Sequence, residues 1–154
     1  MDTQIIEMKS IASRQTAVII GELEVDRLGR WLGEAFTQIA MYLEVSGNPP
    51  VGPPFARYHR LGERLFHVEA GFPVARAVAG SGRIQSSSLP GGSVAVKTHV
   101  GPYEEMEASY EALAKWIESR GGTPIGDAWE IYFSDSEDPP STWRTEIFQP
   151  CQLN

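Results

Sequence analysis

The fold of this chain is indicated by a short block of sequence that occurs twice. Residues 50–58 read PVGPPFARY and residues 124–132 read PIGDAWEIY, so a proline, a β-branched residue, a glycine, a large aromatic residue and a tyrosine align without a gap. A second match follows in the same order, because a Glu-x-x-x-Pro pattern covers residues 69–73 and again residues 146–150. Two matches in one order predict an internal duplication.

Each block follows a segment with helical spacing, which itself follows a segment with strand character. The first predicted helix covers residues 26–46 and ends before Gly47, and the second covers residues 102–120 and ends before Gly121. The second helix has an apolar stripe of Met106, Tyr110, Leu113 and Ile117. Predicted strands cover residues 4–8 and 14–20 (two strands or one long irregular strand), 94–100, and two hairpins that pair 55–60 with 65–70 and 128–134 with 143–149.

These elements predict an α+β fold made of two tandem β-α-β-β units. We expect antiparallel strands, both helices on one sheet face and a ligand cleft where the halves meet. The pseudo-repeats cover about residues 1–78 and 92–154, and a Gly/Ser-rich crossover joins them. A chain of 154 residues is long enough for one domain with a proper core and too short for two ordinary domains.

Charge and hydrophobicity exclude several classes of partner. The formal net charge is -7 and the basic residues are scattered, which predicts no direct DNA binding. An acidic surface suits cationic small molecules or basic protein patches, although it also keeps many proteins soluble. No apolar run is long enough for a membrane span, and the N-terminal residues lack signal-peptide character. We therefore expect a cytoplasmic protein with no membrane contact.

Cofactor chemistry has no recognisable motif in this sequence. Cys151 is the single cysteine and lies near the C-terminus, so a packed or idle thiol is expected. His59, His67 and His99 are dispersed without metal-binding spacing, and a glycine-rich phosphate loop is missing. The sequence predicts neither a metal nor a cofactor.

Alternation divides the strand of the second block into two faces. Trp129, Ile131 and Phe133 form a wholly apolar face, which we expect to lie under the helices. Glu130 and Tyr132 are then expected on the opposite face, where a ligand would bind. The alternative for Glu130 is a solvent-facing strand residue.

The two blocks differ at the position of this glutamate. Tyr58 matches Tyr132, whereas Ala56 takes the place of Glu130. A cleft that is lined by aromatic rings and holds a single carboxylate suits a flat, cationic or polarised ligand. The two tyrosines have the alternative role of ordinary half-buried residues of the sheet.

Further candidates lie on the partner strand of the second hairpin. Glu146 shares one predicted face of this strand with Arg144 and Phe148. If that face joins Glu130, two neighbouring carboxylates would disfavour each other's ionised form and leave one poised for proton transfer. The alternative is a surface ion pair between Glu146 and Arg144.

Two aromatic residues outside these strands are also candidates. Tyr103 lies at the junction of a strand and a helix, where it either contacts a ligand or covers the helix start. Trp143 either walls a pocket or has a core or rim position. We expect His99 to be a packed or surface histidine rather than an acid or base.

Five short segments carry a resemblance to a known family and follow its order over most of the chain. They are residues 62–74 with VEAGFPV at its end, LPGG at 89–92, HVGPY at 99–103, WEIYF at 129–133 and TEIFQP at 145–150. Together they resemble the GyrI-like family, which includes AraC-type effector-binding domains, multidrug-sensing regulator domains and DNA gyrase inhibitors. The resemblance agrees with the predicted duplication.

The resemblance implies a cleft whose acidic residue meets lipophilic cations. Glu130 matches the position of that acid, and Glu146 is the reserve choice. Some relatives resemble hydrolases of reactive cyclopropane-bearing compounds that use an acid and a tyrosine. Glu130 with Tyr103 or Tyr132 would take those catalytic roles here.

The first hypothesis is therefore a standalone effector-binding domain for amphipathic, cationic or aromatic small molecules, in drug sensing or sequestration. The alternatives are a detoxifying hydrolase of cyclopropane-type compounds and a protein inhibitor of DNA gyrase, the last suggested by the acidic run DSED at residues 135–138. Because no helix-turn-helix is recognisable, we expect a regulatory role to act through a protein partner, such as a regulator or gyrase, or by removing the ligand.

Overall fold

The computed structural model describes residues 5–134 and 137–153 apart from the side chain of Glu104, and it confirms the predicted α+β class with antiparallel strands. Its helices and strands, in chain order, are β1 (Ile6–Ile11), β2 (Arg14–Glu24), α1 (Leu28–Val45), β3 (Phe55–Arg60), β4 (Leu65–Pro73), β5 (Gln85–Leu89), β6 (Gly92–Val100), α2 (Met106–Ser119), β7 (Thr123–Pro124), β8 (Trp129–Tyr132) and β9 (Arg144–Gln152). The elements form two compact units.

One unit comprises Ala12–Gly91. Its strands are antiparallel and follow the order β3-β4-β2-β5. Helix α1 covers one face of these strands, because its apolar residues pack against the side chains that β2 and β4 direct toward it. The fully buried members of this core are Ala17, Ile19, Ile39, Leu43 and Ala70. The helix ends where Gly47 adopts a positive φ of 68°, as the sequence predicts.

The other unit combines β1 with the described residues from Gly92 onward. Its strands follow the order β1-β6-β9-β8, all antiparallel, and β7 pairs with the far end of β9. Helix α2 covers one face through Met106, Leu113 and Ile117, which pack with Ala95 and Ile147. Each unit thus contains a strand, a helix and a hairpin in that order.

Of the two alternatives for the start of the chain, the structure has two separate strands and not one long irregular strand. Two residues outside any strand separate β1 from β2, and the two strands have different partners. Strand β1 pairs with β6, whereas β2 lies between β4 and β5. The Gly/Ser-rich crossover contains a short strand, β5. Local sequence could not show this division, because it depends on which distant strands β1 and β2 pair with.

None of the helices among the described residues combines the length and the apolarity that crossing a bilayer requires.

Candidate functional site

The carboxylate of Glu130 is buried on β8, where two tyrosines donate hydrogen bonds to it. The Tyr132 hydroxyl donates to Oε1 over 2.8 Å, and the Tyr110 hydroxyl donates to Oε2. Only 9% of Glu130 is exposed to solvent. Because Tyr110 belongs to α2, the carboxylate lies on the face of the strands that this helix covers.

The predicted assignment of faces on this strand is therefore wrong. Glu130 lies opposite Ile147, a core residue beneath α2. Trp129 lies opposite Phe148 on the other face, and their rings stack with centroids 5.6 Å apart. Trp129 is 1% exposed, so both faces of β8 are buried and an apolar pattern could not identify the face beneath the helix. Ile131 and Phe133 alternate with Trp129 and follow it to that other face.

The second predicted acid does not join Glu130. Glu146 lies opposite Ile131 in the register of β8 and β9, so its side chain projects from the face that carries Phe148. Its carboxylate is 3.5 Å from the Arg144 guanidinium, and this is the ion pair that the sequence left as the alternative. Glu146 therefore does not form with Glu130 the pair of neighbouring carboxylates that the sequence left open.

Tyr132, which contacts the carboxylate, belongs to a group of three aromatic side chains that we call the aromatic cluster: Tyr103, Tyr132 and Trp143. The rings of Tyr103 and Tyr132 meet edge to face with centroids 5.9 Å apart. The centroids of Tyr103 and Trp143 are 4.9 Å apart. Tyr103 is 47% exposed, so the cluster extends from the buried carboxylate to solvent. Tyr103 and Trp143, which the sequence left open, thus lie together beside Tyr132.

Burial determines the electrostatics of the site. Desolvation raises the pKa of Glu130, and the hydrogen bonds from Tyr110 and Tyr132 oppose part of that rise. Partial burial also raises the pKa of Tyr103, and the negative charge of Glu130 adds to the effect. Tyrosine hydroxyls are neutral donors, so they stabilise the carboxylate without cancelling its charge. A desolvated carboxylate beside aromatic rings is suited to an organic cation.

The matching tyrosine of the first block occupies an equivalent place within its own unit. Tyr58 on β3 lies opposite Val68, and its ring meets Phe66 edge to face at 6.2 Å. Ala56, two residues earlier, is fully buried and lies opposite Ala70 of the core beneath α1. Tyr58 is thus on the helix-covered face of its unit, as Tyr132 is, with alanine at the position of the glutamate.

Tyr110 is the site residue that the sequence analysis missed. It was assigned to the apolar stripe of the second helix, and in the structure it is partly buried and packs against the core of that unit. A phenolic hydroxyl in a buried stripe usually requires a hydrogen-bond partner, and that requirement was the available signal. Among the described residues, no group of three or more His, Cys, Asp or Glu side chains is arranged to hold a metal ion.

Removing the Tyr110 hydroxyl is expected to weaken the attraction of the Glu130 carboxylate for a cation. The Tyr110→Phe variant keeps the ring but deletes one donor to Glu130, so the pKa of Glu130 rises further and the ionised fraction falls. We expect an affinity loss of about threefold on the acid side of the titration, and the loss should shrink at higher pH. Titration with a cationic dye at acid and at neutral pH measures this loss of affinity, with Tyr58→Phe as the matched control. Equal losses for the two variants would contradict the prediction.

The fold is that of a small-molecule-binding domain. Residues 22–152 match the GyrI-like small molecule binding domain, and the chain belongs to the GyrI-like family. No curated protein matches the chain.

Solved structures share this fold at low sequence identity. The EcmrR–DNA complex in EcmrR-RPo matches with a TM-score of 0.82 and 19% identity, covering 98% of this chain and 58% of that one, so the chain spans little more than half of that relative. The EcmrR C-terminal domain matches with a TM-score of 0.75 and 22% identity, covering 98% of this chain and 99% of that one.

Two further structures are similar in fold. A hydrolase from Listeria innocua matches with a TM-score of 0.71 and 12% identity, covering 96% of this chain and 91% of that one. SAV2435 bound to tetraphenylphosphonium matches with a TM-score of 0.68 and 12% identity, covering 96% of this chain and 94% of that one. At these identities the likeness concerns the fold alone.

Proposed function

We propose that the protein binds amphipathic, cationic or aromatic small molecules at Glu130 and the aromatic cluster, in drug sensing or sequestration. The observation that carries this proposal is a buried carboxylate whose two oxygens each accept a tyrosine hydrogen bond. A carboxylate is costly to bury, and a ligand cation would supply the compensating charge. The adjoining rings would contribute stacking and cation–π contacts.

Two independent observations support a cationic ligand. The net charge of -7 favours the approach of cations over anions. A protein of the same fold, SAV2435, has been solved with tetraphenylphosphonium, a lipophilic cation without hydrogen-bond donors. Such a cation would be recognised by charge and aromatic surface, which are the properties that Glu130 and the aromatic cluster combine.

The direct test is a fluorescence-anisotropy titration with a rhodamine-type cationic dye. Saturable binding is expected, and unlabelled tetraphenylphosphonium should compete for the same site. A neutral dye of similar size and an anionic one serve as probes of charge preference. Loss of all saturable binding with every cation tested would reject the proposed function.

Cation binding is expected to fall as the pH is lowered through the raised pKa of Glu130. Protonation removes the negative charge that attracts the cation, and because burial raises this pKa, the fall begins at a higher pH than an exposed glutamate would give. Titrations between pH 4.5 and pH 8 at constant ionic strength measure it. Binding of a neutral aromatic dye should change much less over that range. An equal loss for both dyes would indicate acid unfolding instead.

A second candidate function is hydrolysis of a strained electrophile. The raised pKa of Glu130 favours a carboxyl group that can donate a proton, and the partly exposed Tyr103 lies beside Tyr132. The fold likeness to a hydrolase is compatible with this role. Mass spectrometry after incubation with an electrophilic cyclopropane compound would show a product that has gained one water. Compound that stays intact at long times would reject this candidate.

The gyrase-inhibitor alternative stays a prediction. In the acidic run that suggested it, Asp135 and Ser136 lie outside the described residues, and Glu137 and Asp138 follow them in a loop. A supercoiling assay with excess protein tests it, and unchanged gyrase activity would remove it.

A further inference from the structure

Three buried polar side chains form a hydrogen-bonded chain on the same sheet face as Glu130. Lys97, Ser109 and His99 are 3%, 4% and 5% exposed, respectively. The Lys97 ammonium donates to Ser109 Oγ over 2.8 Å, and Ser109 Oγ lies 2.8 Å from His99 Nδ1. The last hydrogen bond of this series reaches the backbone, where His99 Nε2 lies 3.1 Å from the Pro102 carbonyl oxygen.

The direction of these hydrogen bonds follows from the chemistry of their ends. A carbonyl oxygen only accepts, so Nε2 of His99 carries the proton that it donates to Pro102. In the neutral imidazole, Nδ1 is then an acceptor. In this neutral form the Ser109 hydroxyl donates to Nδ1 while it accepts from the Lys97 ammonium. This order gives each of the three side chains a fixed role and fixes the plane of the imidazole ring.

The hydrogen-bonded chain ends at Pro102, one residue before Tyr103, which is the exposed member of the aromatic cluster. Gly101 has a φ of 130°, and its N–H donates to the Trp143 carbonyl oxygen over 2.8 Å. The segment that precedes Tyr103 is thus held by the imidazole at Pro102 and by the backbone of Trp143. Because Tyr103 is 47% exposed, packing alone leaves its ring some freedom, and the position of its backbone matters correspondingly more.

We propose that His99 is a positioning residue that determines how Tyr103 meets a ligand at Glu130. Its Nε2–H holds the Pro102 carbonyl, and the contact with Ser109, which Lys97 anchors, orients the imidazole ring for that hydrogen bond. The proposal rests on the proposed function for its effect on binding. It does not depend on that function for its effect on the Tyr103 ring. His99 acts on the ligand only through Tyr103.

Two substitutions test the contacts at the two ends of the imidazole separately. His99→Gln can place an amide N–H near the position of Nε2, within reach of Pro102. His99→Asn keeps a polar atom near Ser109 but ends short of Pro102. In the dye titration we expect His99→Asn to weaken binding about fivefold, about 1 kcal/mol, and His99→Gln to stay within about twofold of wild type. Equal losses would overturn the proposal, since a merely structural role does not distinguish the two ends.

A double-mutant cycle tests whether the effect passes through Tyr103. In a Tyr103→Ala background, His99→Asn should cause no further loss of affinity, because the ring that it positions is gone. An unchanged additional loss in that background would overturn the proposal. Circular dichroism at the assay temperature verifies that each variant is folded.

A measurement without ligand keeps the two proposals distinguishable. In NMR spectra with labelled tyrosine, the Tyr103 ring is expected to show a ring-current shift from Trp143, and Tyr103→Phe assigns its signal. His99→Asn should move that signal toward the position of a free tyrosine, whereas His99→Gln should preserve it. A signal that stays in place in His99→Asn would overturn the positioning role even if the dye binds. Failure of the dye to bind wild type would overturn only the proposed function.

Discussion

Replacing Glu130 with glutamine is expected to lower the affinity for a cationic dye tenfold or more, about 1.4 kcal/mol. The substitution keeps the size of the side chain and an oxygen that can accept from Tyr110 or Tyr132, but it removes the negative charge. A cation that enters the site then meets a neutral amide. Anisotropy titrations of wild type and Glu130→Gln under identical salt measure the difference.

The matched control for this variant is Glu146→Gln. It makes the same chemical change on the opposite face of the same hairpin, where the carboxylate is paired with Arg144. We expect its affinity to stay within about twofold of wild type, because a partly exposed ion pair contributes little. If both variants lose affinity equally, the contact is general electrostatic attraction by an acidic protein. If only Glu146→Gln loses affinity, Glu130 is not the ligand-binding acid.

The Glu130→Gln variant should also be more stable than wild type at neutral pH. Because burial raises the pKa of Glu130 in the folded protein, the folded protein takes up a proton at this position more readily than the unfolded chain. The ionised carboxylate therefore opposes folding above its folded pKa, and this cost disappears as the pH falls below the unfolded value. We expect Glu130→Gln to raise the unfolding free energy at pH 7, as measured by urea unfolding, and the gain to shrink in acid.

Replacing Gly71 with alanine is expected to destabilise the protein by about 3 kcal/mol or more. Gly71 on β4 lies opposite Val18 of β2, and a β-carbon built on it would lie 2.0 Å from the Ala17 carbonyl oxygen. That distance is far inside van der Waals contact, and the obstacle is backbone that cannot rotate away. The two strands would have to separate locally and give up ladder hydrogen bonds. Urea unfolding at pH 7 measures the loss as a lower midpoint.

Gly33→Ala is the control for this substitution. Gly33 lies within α1, and a β-carbon there would meet nothing within 4 Å. Because alanine favours the helix more than glycine does, we expect a gain of up to about 1 kcal/mol. A Gly71→Ala protein as stable as wild type would show that β2 and β4 can yield without cost at this point.

The sequence alone predicted much of the architecture. Apolar spacing and terminal glycines located both helices to within a few residues, and alternation between turn residues located the two hairpins. These signals are local, so they can be interpreted without knowing which strands pair with each other. The partners of β1 and β2 could not be predicted in the same way, because pairing joins residues far apart in the chain. The duplication itself stays a prediction, although each unit repeats the order strand, helix, hairpin.

For the candidate site, the sequence determined which residues of one strand share a face, and it therefore joined Glu130 to Tyr132. Only the tertiary structure decided which face α2 covers, brought Tyr110 to the carboxylate and placed Glu146 on the other side. The physical reason is that backbone geometry fixes alternation within a strand, whereas contacts between elements depend on how a helix packs onto strands that are buried on both faces.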